Sequence, residues 1–221
     1  MKLMYTLSIC ILFAAGAAFA DWSDNFDSYA AGGGIIGQGG WEGWDGNPGY
    51  DGLVSTAQAQ SAPNSFSAIQ TTDIVQQFTG VNSGIWSMSA SCYIPSGSTG
   101  TQYFILLSIY IPNGTNEWCT DIKFINSTGL VGTEEGTGTT SIIYDQWVPV
   151  EVVFDLDTNN QSVYYNNVMF DTFFWSENAT LNLAALDIFG NNASPIFWDD
   201  IVLQPSFSLS ETTWGHIKAS W

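Results

Sequence analysis

The sequence contains no arginine and few basic side chains of any kind. Its 221 residues include three lysines and one histidine against 21 aspartates and glutamates, for a net charge of −18. Proteins that bind nucleic acid or anionic membranes use lysine and arginine to displace counterions, so this scarcity excludes a nucleic-acid partner. The aromatic content of 15% also excludes disorder as the reason for the acidity, because disordered acidic chains are poor in aromatic residues.

Long apolar runs are absent except at the N-terminus. Lys2 precedes an apolar stretch from Leu7 to Phe13, and Ala18-Phe19-Ala20 then forms a small-x-small cleavage site. This pattern predicts a secretory signal peptide over residues 1–20, the alternative being an uncleaved anchor, for which the run is short. Export would remove Lys2 and leave a secreted or cell-surface chain that begins at Asp21, with two basic against 21 acidic residues and a net charge near −19.

Cysteine and histidine are both scarce. Cys10 belongs to the signal peptide, so an exported chain keeps Cys92 and Cys119, a pair that invites a disulfide prediction. The strand alternation places Cys92 on an apolar face and Cys119 on a polar face, and thiols on opposite faces cannot bridge without distortion, which argues against the disulfide but leaves both states open. The only histidine, His216, lies near the C-terminus, which argues against a Ser-His-Asp triad or a Cys/His metal cluster.

Short runs of alternating apolar residues recur between glycine, asparagine, serine and threonine clusters, and no long amphipathic helix is predicted. This spacing is typical of an all-β sandwich or barrel. We predict one β-sandwich domain over residues 21–205. The strand-like runs are Phe66–Ile69, Ile74–Phe78, Ile85–Ile94, Gln102–Tyr110, Glu117–Ile125, Thr140–Ile143, Trp147–Asp155, Ser162–Tyr165, Leu181–Phe189 and Ile196–Leu203.

The segment from Trp147 to Asn167 is the most informative of these patterns. It reads as a strand with Val148, Val150, Val152 and Phe154 on the buried face, then a polar turn and a Val-Tyr-Tyr return strand. This order resembles the central hairpin of laminin-G-like and concanavalin-A-like β-sandwiches.

Two further segments strengthen that resemblance. Asp24-Asn25-Phe26-Asp27-Ser28-Tyr29 resembles the acidic-aromatic opening strand of such domains, and Leu181 to Leu183 through Phe197 to Leu203 resembles the closing strand. The resemblance implies a concanavalin-A-like jelly roll in a secreted, monomeric protein.

In domains of this kind the first and last strands pair, and acidic residues there often hold a structural Ca²⁺. The resemblance therefore implies a calcium site at Asp24, Asp27, Asp199 and Asp200. The alternation in Phe197–Leu203 puts Asp199 on the core-facing side, where its carboxylate needs either a metal or backbone N–H donors.

The resemblance also bears on catalysis. Related glucanases carry three alternating acidic residues along one strand, and Glu151, Asp155 and Asp157 come nearest to that pattern here. Val153 occupies the position of the middle acidic residue, so we do not expect this protein to be an enzyme. A polysaccharide hydrolase remains the least favoured of three readings.

A non-catalytic carbohydrate-binding or adhesive module is the favoured function, with a structural matrix protein as the alternative. Sugar sites on β-sandwiches combine aromatic faces with polar side chains, although an aromatic residue in a strand is more often part of the core. The candidate ligand-binding residues are Trp41, Trp44, Tyr103, Tyr110, Trp118 and Trp175. The expected partner is a glycan or cell-surface polysaccharide.

Residues 206–221 form a C-terminal tail beyond Pro205. Thr212 or Thr213 could cap a short helix with Trp214, Ile217 and Trp221 on one side. The tail is either a terminus packed on the domain or a recognition tag for export or surface attachment.

Overall fold

A computed structural model describes residues 21–206 as two antiparallel β-sheets packed face to face. The predicted signal peptide lies outside the described residues, as does the C-terminal tail beyond Ser206. Within the described range, no helix is long and apolar enough to cross a membrane.

Fifteen strands make up the two sheets. They are β1 Trp22–Asp24, β2 Glu42–Gly43, β3 Leu53–Ser55, β4 Ser65–Ala68, β5 Asp73–Gln77, β6 Ile85–Tyr93, β7 Thr101–Ile109, β8 Glu117–Ile125, β9 Leu130–Thr133, β10 Thr139–Ser141, β11 Trp147–Asp155, β12 Asn160–Tyr165, β13 Val168–Phe173, β14 Ala185–Asn191 and β15 Ile196–Pro205. Short 3-10 turns at Trp44–Gly46 and Pro48–Tyr50 are the helical elements of the described chain.

The eight-stranded sheet has the order β13-β12-β11-β6-β15-β4-β3, with β1 paired to β15. The seven-stranded sheet has the order β10-β9-β8-β7-β14-β5-β2. The first and last strands are therefore neighbours, as expected, with Trp22 opposite Leu203.

The central hairpin forms as predicted. Strand β11 spans Trp147–Asp155, and Val150, Val152 and Phe154 are fully buried between the sheets. The carboxylate of Asp155 accepts hydrogen bonds from the backbone N–H groups of Asp157 and Thr158, at 2.9 and 3.1 Å. Asp155 therefore closes the strand end, a structural role.

The opening strand is shorter than predicted. Strand β1 ends at Asp24, and the segment 25–29 turns back on itself around Phe26, which adopts φ 60° and is fully buried. The carboxylate of Asp24 stabilises this turn by accepting from the Phe26 N–H at 2.9 Å. The Asx-type turn ends the strand because the side chain offers the backbone a local partner.

An irregularity in β8 overturns the predicted faces of Trp118 and Cys119. Leu106 pairs with Thr120, but Leu107 pairs with Trp118, so Cys119 is an extra residue between them. Such a bulge reverses the alternation, because two residues oppose one. Trp118 is consequently 47% exposed, whereas Cys119 lies in the core.

Both cysteines are free and buried in the main core. Burial raises the pKa of the Cys119 thiol to about 12 and raises that of Cys92 further. Both thiols are therefore protonated and poorly nucleophilic at neutral pH.

A second bulge, in β15, shows that the predicted core-facing orientation of Asp199 is wrong. Asp199 pairs with Ser91, and the next paired residue is Val202 with Ser89. Asp199 therefore faces away from the core, on the side opposite Ile201. It is nonetheless completely buried, because the loop at Gln60 and Ser61 covers it.

Candidate functional site

The outer face of the seven-stranded sheet carries a second apolar cluster, separate from the main core. Residues paired across an antiparallel sheet point to the same side, so the registers define this face. Its buried members are Val75, Ile105, Leu107, Tyr110 and Ala185. Trp44, Tyr103 and Phe189 are partly buried against them. Outer faces of sandwiches are usually polar, so this apolar floor distinguishes one surface of the domain.

A loop places Trp44 over this floor. The 3-10 turn Trp44–Gly46 follows β2, and the indole of Trp44 packs on Tyr110 with ring centroids 5.0 Å apart. The Asp45 N–H donates to the Tyr110 hydroxyl at 3.0 Å, and the Asp45 carboxylate accepts from the Asn113 N–H at 2.7 Å. Two loops are thus tied together beneath the tryptophan.

Trp118 meets Trp44 from the opposite side. The two indoles stack at a centroid distance of 6.1 Å and an interplanar angle of 20°. Trp118 reaches this position because the β8 bulge turns it outward. The pair leaves an indole surface open to solvent.

The two indoles line a cavity of about 260 Å³. We call it the tryptophan–carboxylate cleft. It is lined by Trp44, Asp73, Ile105, Trp118, Asp187 and Phe189.

Asp187 is the most unusual side chain of the cleft. It is 3% exposed, and its Oδ1 atom has no hydrogen-bond partner among the described residues. Burial, followed by repulsion from Asp73, raises its pKa well above the ordinary range. A buried polar atom without a partner is rare in folded proteins and calls for an explanation.

Two further carboxyl groups share the environment of Asp187. Asp73 hydrogen-bonds Asp187 side chain to side chain, and burial is the main reason that the pKa of Asp73 rises to about 6. Asp121 lies one strand beyond, since Ile105 pairs with Asp187 on one side and with Asp121 on the other. Burial, then repulsion from Glu135 and Glu134, raises the Asp121 pKa to about 7. Burial therefore favours the protonated form of all three carboxyl groups.

Acidic residues elsewhere in the domain are satisfied by the protein. Asp51 accepts from the N–H groups of Ile35, Ile36 and Gly52. Asp171 accepts from the Thr133 hydroxyl at 2.5 Å and from the Gly138 N–H at 2.9 Å. The unpartnered oxygens at Asp187 and Asp121 are therefore a local property of the outer face.

The structure brings together four of the six predicted ligand-binding aromatics. Trp44 and Trp118 line the cleft, and Tyr103 lies on the same face, stacked on Phe189 at 5.6 Å. Tyr110 is 7% exposed and supports Trp44 from below.

The prediction is wrong for Trp41 and Trp175, which are 1% and 0% exposed. Trp41 packs against Phe26 and Phe66, and Trp175 stacks on Phe154. Neither indole presents a face to a ligand. Both belong to the core because their strands and loops turn them inward.

Sequence reasoning missed the carboxylates and Phe189. In two strand segments, an aspartate on the outer face directly precedes a buried isoleucine. The segments are Asp73-Ile74-Val75 and Asp187-Ile188-Phe189. An aspartate within an apolar strand was the available signal. Their proximity follows from the pairing of β5 with β14, which the sequence does not reveal.

The acidic residues predicted to hold calcium are engaged by protein donors. Asp24 accepts from the Tyr29 hydroxyl at 2.6 Å and the Trp41 indole N–H at 2.9 Å. Asp27 accepts from the Asn64 N–H at 3.0 Å. Side-chain donors at Asp24 and a backbone donor at Asp27 therefore supply partners that a metal would otherwise provide.

Asp199 and Asp200 are engaged in the same way. Asp199 accepts from the N–H groups of Gln60 and Ser61 at 2.8 and 3.0 Å, and Asp200 accepts from the Ser61 hydroxyl at 2.8 Å. Within residues 21–206, no three acidic, histidine or cysteine side chains converge in a way suited to a metal ion. Asp24 and Asp200 do line a common cavity of about 490 Å³.

Calcium binding at the paired chain ends stays a prediction. If Ca²⁺ joins Asp24 to Asp200, CaCl₂ should raise the melting temperature relative to EDTA by binding the native state alone. MgCl₂ should substitute poorly, because Mg²⁺ requires a tighter octahedral shell. Coinciding melting curves in all three solutions would leave protein donors as the sole partners of these carboxylates.

No protein-family model and no curated protein matches the chain. Solved structures do match. A sialidase superposes with a TM-score of 0.58 at 11% identity, over 86% of this chain and 19% of that chain. Trypanosoma rangeli sialidase in complex with 2,3-difluorosialic acid gives a TM-score of 0.52 at 14% identity, over 72% of this chain and 28% of that one.

These likenesses concern the fold, since the chain spans about a fifth to a quarter of the sialidases it matches. The two antiparallel sheets and the pairing of the chain ends define the domain as a concanavalin-A-like jelly-roll β-sandwich. The fold prediction is confirmed.

Proposed function

We propose that the chain is a secreted, non-catalytic carbohydrate-binding module and that the tryptophan–carboxylate cleft holds the glycan. The observation that carries the proposal is the stacked pair of Trp44 and Trp118 beside Asp187, a buried carboxyl group whose Oδ1 atom has no hydrogen-bond partner among the described residues. A sugar ring supplies both missing elements. Its C–H face packs on an aromatic ring, and its hydroxyl groups donate hydrogen bonds to carboxylates.

The dimensions of the cleft support a short contact with a longer glycan. Its volume of about 260 Å³ lies near the lower end of small-ligand sites, which begin at roughly 300 Å³. One sugar unit of an oligosaccharide suits such a space. Neighbouring units would extend over Tyr103 and Phe189 on the same face.

Replacing Trp118 with alanine should weaken glycan binding about thirtyfold, because central tryptophans of binding sites contribute about 2 kcal/mol or more. The measurement is a glycan array probed with the mature chain and with Trp118→Ala. Trp118 is 47% exposed, so its removal should leave the fold intact.

Phe174→Ala is the matched control for that array. Phe174 is 72% exposed and follows β13 at the edge of the other sheet, so its loss should not change the array signal. Equal losses for both variants would contradict a site at the cleft. An array without any bound glycan would favour the structural matrix protein.

A polysaccharide hydrolase is the second candidate, because Asp121 holds a proton near pH 7. The hydrogen-bonded pair of Asp73 and Asp187 is too close to flank a glycosidic bond, which requires carboxyl groups about 5–9.5 Å apart. Asp121 and Asp187 are separated by one strand, roughly 9–10 Å between backbones, near the spacing of inverting enzymes. Release of reducing sugar by the wild type but not by Asp121→Asn would favour the hydrolase.

A further inference from the structure

The charge around the cleft narrows the class of sugar that it can bind. Asp73, Asp187 and Asp121 face the cleft or its floor, and the acidic residues Glu42, Asp45, Glu134 and Glu135 surround them. The only basic residue of the sequence between positions 21 and 206 is Lys123. Its Nζ atom lies 2.8 Å from Glu134, so it is already paired.

This environment disfavours an acidic sugar. A uronate or sialate carboxylate would approach several carboxyl groups with no free cation to receive it among the described residues. Like charges brought together in a partly buried site repel strongly, because the effective dielectric constant is low. The cleft therefore selects between neutral and cationic sugars.

The unpartnered oxygens favour the cationic sugar. An ammonium group offers three N–H donors and a positive charge, whereas a hydroxyl group offers one donor and no charge. Charge-assisted hydrogen bonds to a carboxylate are about twice as strong as neutral ones. Oδ1 of Asp187 accepts no hydrogen bond from the described residues, so it is free to receive one from a ligand.

The two indoles also favour a cationic sugar. Cations bind over the face of tryptophan more strongly than over other aromatic rings, and the attraction grows when water is excluded. Trp44 and Trp118 line the same cavity as Asp73 and Asp187. Carboxyl groups and aromatic rings that line one cavity are the two features that together recognise an ammonium ion.

We infer that the tryptophan–carboxylate cleft binds an amino sugar with a free ammonium group, held by Asp187 and Asp73 beside the stacked indoles of Trp44 and Trp118. This inference rests on the proposed function, since it names the class of sugar that the same cleft binds. An N-acetylated sugar lacks the charge and offers one amide N–H, so acetylation should weaken binding.

The test compares four tetrasaccharides of equal length by isothermal titration calorimetry. They are built from glucosamine, N-acetylglucosamine, glucose and galacturonic acid, and the buffer contains EDTA and roughly physiological salt. The glucosamine tetramer should bind at least about tenfold more tightly than the glucose tetramer. The galacturonic acid tetramer should show no binding.

Variants separate the cleft from the general negative charge of the protein. Asp187→Asn keeps the shape of the side chain and should reduce the preference for glucosamine to less than about twofold. Asp73→Asn provides a second variant if Asp187→Asn fails to fold. Asp21→Asn removes one charge from an exposed residue immediately before β1 and should keep the preference.

The outcomes distinguish this inference from the proposed function. Trp118-dependent binding of the glucose tetramer, without preference for glucosamine, would overturn the amino-sugar ligand and leave the glycan site standing. Equal losses in Asp187→Asn and Asp21→Asn would attribute the preference to net charge and would also overturn it. Absence of binding by any array glycan would overturn both.

Discussion

Replacing Phe154 with alanine should lower the free energy of unfolding by about 3–5 kcal/mol, the usual range for a buried phenylalanine. Phe154 is fully buried on β11, which pairs with β6 on one side and β12 on the other. Its ring stacks on Trp175 with centroids 4.5 Å apart. The substitution leaves a cavity that two paired neighbouring strands prevent from collapsing. Urea unfolding of a chain that begins at Asp21 measures the change.

Phe174→Ala again provides the control, because its side chain is 72% exposed. Its effect should lie within about 0.5 kcal/mol, as for most surface substitutions. A loss below about 1 kcal/mol for Phe154→Ala would contradict the register of β11.

Asp121→Asn should stabilise the protein at pH 8 by an amount on the order of a few kcal/mol. Burial and the neighbouring Glu135 and Glu134 raise the Asp121 pKa to about 7, while Lys123 lowers it. The native state then binds a proton more tightly than the unfolded state does. Stability is therefore lost as the pH rises from about 4 to about 7. Asparagine cannot ionise, so the variant avoids this loss.

Thermal melting of the wild type and the variant across this pH range measures the difference. The two melting temperatures should agree near pH 4 and diverge towards pH 8, with the variant higher. Asp21→Asn, at an exposed position, should follow the wild type throughout. A variant that melts lower than the wild type at pH 8 would show that the Asp121 carboxylate stabilises the fold.

A gain in stability from Asp121→Asn would bear on the function of the outer face of the seven-stranded sheet. Asp73 and Asp187 shift in the same direction as Asp121, so the outer face holds several carboxyl groups that destabilise the native protein at neutral pH. Binding sites commonly accept such a cost because a ligand offsets it. Stabilisation of Asp121→Asn would support the role of this face in binding.

Local patterns were sufficient to predict the strands with strict alternation. Strand β11 matches its predicted bounds because one face is fully buried along its whole length. Strands β2, β3, β9 and β13 were not predicted, and β9 and β13 are the longest of these. Leu130–Thr133 is short and follows a turn, and Val168–Phe173 is an edge strand with exposed Val168 and Met169. Neither segment shows the alternation that a buried face produces.

The bulges account for the errors of orientation. A bulge adds one residue to a strand, so every side chain beyond the bulge faces the opposite side of the sheet from the one that alternation predicts. No residue type in the sequence marks the position of a bulge. The reversal at Cys119 turned Trp118 outward into the cleft, and the reversal near Asp200 moved Asp199 off the core face.

The candidate site was predictable in part. Trp44 and Trp118 were predicted as ligand-binding residues, whereas Trp41 and Trp175 were indistinguishable from them by composition. The carboxylates at Asp73 and Asp187 meet only through the pairing of β14 with β5, two strands that are far apart in the sequence. Their shared cavity depends on topology, which local alternation does not determine.

The most direct test of a glycan site on this face is the indole region of the ¹H–¹⁵N spectrum during titration. The protein in this titration is a chain that begins at Asp21, and the titrant is the tetrasaccharide that the chain binds most tightly. Signals of Trp44 and Trp118, assigned by single substitution to phenylalanine, should shift with the titrant. Trp147, which packs on Tyr93 in the other sheet, should not shift. Shifts confined to Trp147, with Trp44 and Trp118 unchanged, would contradict the site.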